Sequence, residues 1–416
     1  MSPAIPADAD VEQFPDWRRN VRALSVGVFC NTLGFTACFP YLALIVKELG
    51  VRGSLETWVG ALAGGFFAIS FLLQPVWGTF ADHFGRKSMV LRAGLGMAIG
   101  FGLLGLISSM PWFLLLFVLV GSCNGYVPAA VALVATNTPR RHMGRALSIV
   151  QSAQLLGTTC GPAVGAFLAG RLPAYRDLFW ISCAMSGVAG LVALLFARER
   201  AERPSVPFRL TVLQDTRIIL RVPAMWVLFL MSFLFSTAMF GSTAVVALYV
   251  LEIAHGAAVI GGYALETWVG VATMALTIAS AAAAPLWGRW LDRFEPGRVL
   301  ALSLLLGMLA SWLFPFVQSP LQLTLARLVL GVCAVGIQPA TVTLIKMWSP
   351  PGMDARTLAL GTALAMLGNG VAPFMAGLIG PLLGLRAHFG FVALLLLVGL
   401  LVWLTRGMRR MGRVAP

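Results

Sequence analysis

The 416-residue sequence predicts an all-α membrane protein, with twelve transmembrane helices in two pseudo-symmetric six-helix bundles. Three observations predict it. The chain is 59% apolar and only 11% charged, whereas a soluble domain carries roughly 25% charged residues. Long stretches, 93–110 and 389–404 among them, hold no charge at all and approach the roughly 20 residues that cross a bilayer as a helix. A hexapeptide, Leu55-Glu-Thr-Trp-Val-Gly60, recurs unchanged as Leu265-Glu-Thr-Trp-Val-Gly270, 210 residues later. A bilayer admits only helices or closed barrels, and the alternation of barrel strands is absent.

The apolar runs place spans at 21–46, 56–79, 89–110, 112–135, 147–170, 178–197, 223–250, 263–288, 299–317, 320–345, 357–383 and 389–405. The domain reading is a cytoplasmic N-terminal tail (1–20), a first six-helix bundle (21–197), a cytoplasmic linker (198–222), a second bundle (223–405) and a cytoplasmic C-terminal tail (406–416). An even number of spans puts both termini on one face. With the termini cytoplasmic, that face collects 24 of the 30 basic residues, Arg18, Arg86, Arg92, Arg198 and Arg298 among them. The other face has five, and Arg327 lies within a span. This is the positive-inside distribution, so the net charge of +14 is a membrane signature and no nucleic-acid partner is expected. The first span is expected to serve as its own targeting signal.

The duplication extends beyond the hexapeptide. Pro75-Val-Trp-Gly78 answers Pro285-Leu-Trp-Gly288, Asp82 answers Asp292, and Gly121 answers Gly331 at the same offset, while Gly85-Arg86 answers Gly297-Arg298 after a two-residue insertion. Parallel six-span halves, with a binding site at their interface, are a transporter architecture.

The first loop on the terminus face reads Gly78-Thr-Phe-Ala-Asp82-His-Phe-Gly85-Arg86-Lys87, and its second copy carries Gly288, Asp292, Arg293, Gly297 and Arg298. It resembles the G-x-x-x-D-R-x-G-R-[RK] signature of the major facilitator superfamily, departing from it at His83. In that reading Gly78 lets helices approach closely, Asp82 faces a neighbouring helix N-terminus, and Arg86 and Lys87 hold the loop at the interface. The fifth span carries Gly157-x-x-x-Gly161-Pro162-x-x-Gly165, which resembles the antiporter signature of drug:proton antiporters with twelve spans. Its small residues four apart permit tight packing, and its proline bends the helix. The segments at 17–20, around Pro40 and at 121–128 look most like the MdtG-type branch of multidrug efflux proteins. One departure is Phe117, where such antiporters often carry an Arg; the matching position in the tenth span is Arg327.

Arg327 is about seven residues into its span, roughly 10 Å deep. An intramembrane charge usually marks a pathway. Two readings stand: an anion or polar-oxygen contact in the cavity, or a structural Arg on backbone carbonyls or a nearby Glu. Of the sixteen carboxylates, only Glu56 and Glu266 lie at or inside a span, near outer ends, and none sits mid-membrane. They are read either as proton-coupling groups or as ordinary helix-end acids beside Trp58 and Trp268.

The resemblance implies that the first, fourth, seventh and tenth spans line the cavity. There they offer Asn31, Phe35, Phe39, Asn124, Tyr126, Phe233, Ser236, Met239, Gln338 and Thr341, an apolar wall with a few hydrogen-bonding groups. The six cysteines fall inside apolar runs and read as packing residues. The four histidines (His83, His142, His255 and His388) read as loop residues, so no metal is assigned. No G-x-x-x-x-G-K-[ST] loop is present. The expectation is therefore a monomeric secondary transporter in the bacterial inner membrane, not an enzyme, whose partners are a small-molecule solute, protons and the bilayer. It has no cofactor beyond the proton gradient, and by the resemblance it exports amphipathic organic molecules. Dedicated export of one metabolite such as a siderophore, nutrient uptake and a non-transporting receptor are the alternatives.

Overall fold

In a computed structural model, residues 15–139, 142–199, 212–255, 257, 259–350 and 353–407 are described. Parts of the predicted tails and linker, with Arg140, Arg141, Arg200, Arg203, Arg209, Arg409, Arg410 and Arg413, lie outside them. Twelve spans form in the expected order. The uninterrupted ones are the second (Leu55–Phe84), third (Arg86–Leu106), fifth (Met143–Ala169), sixth (Leu178–Phe196), eighth (Leu265–Arg293), ninth (Pro296–Ser311), eleventh (Asp354–Leu383) and twelfth (Leu385–Val402). Among the described residues, eleven spans are long and apolar enough to cross a membrane by length and composition. The fifth falls outside that criterion because Gln151, Gln154, Thr158, Thr159 and its glycines dilute a 27-residue helix.

The other four spans are broken. The first is Trp17–Cys38, a 3-10 turn at Phe39–Tyr41 and Leu42–Glu48. The fourth is Met110–Gly121 and Tyr126–Thr136, the seventh Pro223–Ala244 and Val246–Ala254, and the tenth Pro320–Ala334 and Ile337–Trp348. These are the four spans that the resemblance assigns to the cavity. A backbone interruption at membrane depth is tolerated where protein or water satisfies the freed groups. The first break follows from Pro40, which cannot continue the helical ladder. The fourth span turns at Gly125, whose φ of +127° suits glycine alone.

The linker contains a short helix, Val212–Leu220. Between the seventh and eighth spans, Val259–Ile260 pairs with Tyr263–Ala264 across Gly261 and Gly262, both at positive φ, the pair a tight hairpin turn demands.

The halves meet along two seams, the second span against the eleventh and the fifth against the eighth. Both seams lie toward the face away from the termini. Positions where a Cβ on Gly60 would stand are 2.7 Å from the Pro373 carbonyl oxygen and 2.9 Å from Gly377 Cα. On Gly270 they are 3.0 Å from the Pro162 carbonyl oxygen and 2.6 Å from Ala166 Cβ. Toward the terminus face the same spans part: Gly78 and Gly288 have open space around them. The close glycine contacts between the halves thus lie toward the far face, while Gly78 and Gly288 at the other end meet no neighbour.

Candidate functional site

The repeated hexapeptide builds the closed end in both halves. Thr57 Oγ1 donates to the Gly377 carbonyl at 3.1 Å, and Glu56 packs its stem against Gly380. In the second copy, the Glu266 carboxylate accepts a hydrogen bond from the Tyr175 hydroxyl. The buried Tyr41 hydroxyl, at the break of the first span, reaches the Pro162 carbonyl at 2.9 Å and the Glu266 carbonyl at 3.4 Å. Trp58 and Trp268 each donate to the loop before their own helix, at Arg52 O (3.0 Å) and Ile260 O (2.9 Å). Each copy thus ties its helix start to its loop and presents a glycine to the other half.

The antiporter-like motif serves a second contact on the same helix. Cβ positions on Gly157 and Gly161 would lie 2.7 Å from the Phe29 carbonyl and 2.9 Å from the Leu33 carbonyl, and one on Gly165 would lie 2.6 Å from the Tyr41 ring. The glycine row therefore packs on the first span, while Pro162 and Ala166 face the eighth. The fifth span touches both halves at once.

Beneath the closed end lies an aromatic roof. Phe35 meets Phe39 (5.0 Å) and Phe66 (5.6 Å) in tilted pairs, and Phe66 meets Phe117 (5.4 Å) likewise. Phe240 of the seventh span completes it against Phe39 (5.1 Å) and Phe67 (4.8 Å). Aromatic pairs at these separations are worth roughly 0.5–1.5 kcal/mol each beyond burial. Phe66, Phe67 and Phe240 were not among the sequence candidates. Phe117, in the place of the expected Arg, is buried in this cluster.

Of the predicted cavity wall, Phe35, Asn124, Phe233 and Met239 are half-buried and Gln338 is exposed. Phe39 and Ser236 are buried at helix contacts, Ser236 beside Gly368 of the eleventh span. Three side chains point elsewhere. Asn31 Nδ2 turns to Ser186 Oγ (3.4 Å) in the sixth span. The Tyr126 hydroxyl donates to the Ala189 carbonyl at 2.9 Å. Thr341 is buried and donates to the Ile337 carbonyl of its own helix. These three stabilise the interior of a half and do not face the space between halves.

The loop signature also needs correction. Gly78 and Gly288 make no close helix approach, because the second and eighth spans stand apart at this end. The Asp82 side chain lies outside the described residues. The carboxylate that caps the third span is that of Glu199, from the end of the sixth: it accepts from the backbone amides of Arg86 (2.7 Å) and Lys87 (2.9 Å). Gly85 admits it, with φ +91° and a would-be Cβ only 2.7 Å from Glu199 Oε2. Arg86 reaches the Ala132 carbonyl at 3.2 Å and Lys87 the Leu194 carbonyl at 3.0 Å, so these cations lash three spans together. The second copy differs in kind. Gly297 lies within the ninth helix, Arg298 pairs with Glu295 at 3.2 Å, and Asp292 and Arg293 are exposed.

Two cations lie at depth. Arg327 is fully buried, donating to Ala272 O (2.7 Å), Ser242 O (2.6 Å) and Thr243 Oγ1 (3.0 Å). Its partners are carbonyls and a hydroxyl of the seventh and eighth spans, the contacts that the structural reading describes. Arg92, counted from sequence among the basic residues of the terminus face, lies in the third span with its guanidinium 3.8 Å above the Trp77 ring and donating to Ser122 O at 2.8 Å. Trp77 donates to the same carbonyl (2.9 Å), as Trp287 does to Val332 O (2.8 Å) in the other half. His388 is not a loop residue: it is fully buried in the first turn of the twelfth span.

The sequence profile of the Major Facilitator Superfamily matches residues 24–276 and 261–416. Multidrug resistance protein MdtG of Dickeya zeae is 32% identical over 379 residues, covering 90% of this chain and 91% of that protein. Its counterpart in Citrobacter koseri is 32% identical over 376 residues, with the same coverage. Among solved structures, the nucleoside transporter NupG superposes with a TM-score of 0.77 at 12% identity, covering 92% of this chain and 99% of that one. A bacterial homolog of the human lysosomal transporter Spinster, inward-facing and occupied, gives 0.75 at 17% identity, covering 97% of both chains. At such identities these structures speak for the fold alone.

Proposed function

Because this chain belongs to the major facilitator superfamily, and is a multi-pass membrane transporter and not an enzyme, we propose that it is a secondary exporter of amphipathic small organic molecules. Proton antiport across the bacterial inner membrane drives it by alternating access. In this reading the terminus face is cytoplasmic, which the excess of basic residues there supports. The observation that carries the reading is the asymmetry of the two ends: glycine seams and an aromatic roof close the far end, while Gly78 and Gly288 stand free at the cytoplasmic end. This is the state in which an exporter takes up cargo from the cytoplasm.

The roof defines the cargo's resting place. Phe35, Phe39, Phe66, Phe67 and Phe240 offer aromatic faces and edges to a planar or apolar solute. Arg327 does not enter this account as a cargo ligand, since it is fully buried and each of its three nitrogens already donates to a carbonyl or hydroxyl. A solute entering between the halves competes with the contacts of Phe240 to Phe39 and Phe67, which join the halves directly beneath the seams. Cargo binding there bears on whether the seams stay closed. Opening them exposes the cargo to the outer face, and proton uptake from that side resets the cycle.

The reading supports polyspecific export over a dedicated carrier, because the roof has no fixed set of hydrogen-bonding groups. Purified protein in proteoliposomes, given an imposed pH gradient and offered ethidium, chloramphenicol or deoxycholate, tests it. Gradient-dependent concentration of at least one solute is expected, and its loss on collapsing the gradient completes the result. Flux indifferent to the gradient contradicts proton antiport.

A further inference from the structure

We propose that His388 is a proton-binding site, whose occupancy is linked to opening of the outer seam between the second and eleventh spans. This rests on the proton-antiport reading above and supplies its missing titratable group.

The imidazole is fully buried, and neither ring nitrogen meets good hydrogen-bond geometry with a described residue, the nearest polar group being the Gly241 backbone. It stacks edge-on against Phe389 (5.6 Å). Its Nε2 is 3.6 Å from where a Cβ on Gly241 would stand, and that same position is 2.6 Å from Ala372 Cβ. His388 therefore sits where the seventh, eleventh and twelfth spans meet. Ala372 is followed by Pro373, whose carbonyl receives Gly60 across the seam.

The internal repeat makes this placement informative. At the offset of 210, His388 answers Leu178 and Phe389 answers Phe179. Leu178 and Phe179 are as completely buried as their counterparts. A leucine satisfies this packing in the first half, so the fold does not require an imidazole in the second. The same offset sets Arg327 against the buried Phe117. Both polar replacements converge on one stretch of the seventh span: Arg327 holds Ser242 and Thr243, and His388 abuts Gly241.

The other charged or titratable groups around this junction are few. Arg386 pairs with Glu252 of the seventh span (3.9 Å) near the outer end. Tyr249 donates to the Phe314 carbonyl (2.7 Å). No carboxylate contacts His388 among the described residues, so an imidazolium there has no counter-ion. An unpaired charge is not tolerated in apolar packing. The closed seam therefore holds the neutral ring, and the ring takes a proton from the outer solution when the seventh and eleventh spans separate and water enters. The proton leaves toward the cytoplasm after the seam has closed again. Nothing is oxidised or reduced; one N–H bond forms at the imidazole and later breaks.

The test compares wild type, His388→Leu and His388→Gln in proteoliposomes with ethidium, chloramphenicol and deoxycholate. Leucine already occupies the matching position in the first half, so His388→Leu is expected to fold and insert. Two fluxes are read: concentration against a gradient under an imposed pH difference, and downhill efflux without one. The inference expects both variants to lose at least ten-fold in pH-driven concentration while keeping downhill efflux within about two-fold. Retained pH-driven concentration in His388→Leu overturns this inference and leaves proton antiport standing. A wild type that concentrates none of the three solutes removes the export reading, and this inference with it.

Discussion

Gly270 packs against Pro162: the carbonyl oxygen of the proline in the fifth-span motif lies 3.0 Å from where a Cβ on the glycine would stand. Gly60 meets Pro373 in the same way, at 2.7 Å. The two seams are thus one device used twice, a glycine from the repeated hexapeptide against the carbonyl of a helix proline in the opposite half. Gly60→Leu and Gly270→Leu are expected to oppose the outward-closed state by about 1–3 kcal/mol, the usual cost of overpacking. Flux should fall at least ten-fold with normal membrane insertion. Gly78→Ala and Gly288→Ala, in open space, should transport like wild type. Equal flux in all four variants would remove the seams from the mechanism.

Glu199 is expected to act as the cap of the third span. Its two backbone contacts match a helix N-cap, whose loss costs about 1 kcal/mol. Glu199→Ala and Gly85→Ala should each lower the thermal midpoint of the purified protein. The double variant should cost less than the sum, because the alanine at position 85 already displaces the carboxylate. Additive losses would separate the two residues.

Arg327→Met is expected to reduce folded yield and thermal stability. It removes the three buried hydrogen bonds of the guanidinium, to Ala272 O, Ser242 O and Thr243 Oγ1, bonds to a charged group being worth roughly 1.5–3 kcal/mol each. Whatever protein folds should keep the wild-type half-saturation constant. Normal stability with a raised half-saturation constant would restore Arg327 to the cargo site.

Phe240→Ala is expected to change cargo selectivity more than expression. Phe240 closes the roof from the second half against Phe39 and Phe67. Its loss should raise half-saturation constants several-fold for aromatic solutes and less for deoxycholate. A uniform effect on all solutes would mean that the ring serves only packing.

The duplication was legible in the sequence because a repeated hexapeptide at a fixed offset survives whatever surrounds it; that its glycines form the seams was not. The glycine row of the fifth span was legible for the same reason, since small residues four apart announce a close contact. The facing of individual side chains was not. Spans this apolar carry residues of one kind on every side, which erases the amphipathic signal that orients a helix. Asn31 and Tyr126 therefore looked like cavity residues and proved to be interior ones. Boundary error moved one other: His388 lies in a helix that begins at Leu385, ahead of the span expected from 389. Glu199 was out of reach, because it meets Arg86 from 113 residues along the chain.

Wild type and Gly270→Leu, reconstituted side by side under an imposed pH gradient, test the central claim most directly. The account predicts that wild type concentrates ethidium, chloramphenicol or deoxycholate in a gradient-dependent manner. It predicts that Gly270→Leu, inserted to the same level, does so at least ten-fold more slowly. Wild-type flux that ignores the gradient, or a Gly270→Leu protein as fast as wild type, would contradict it.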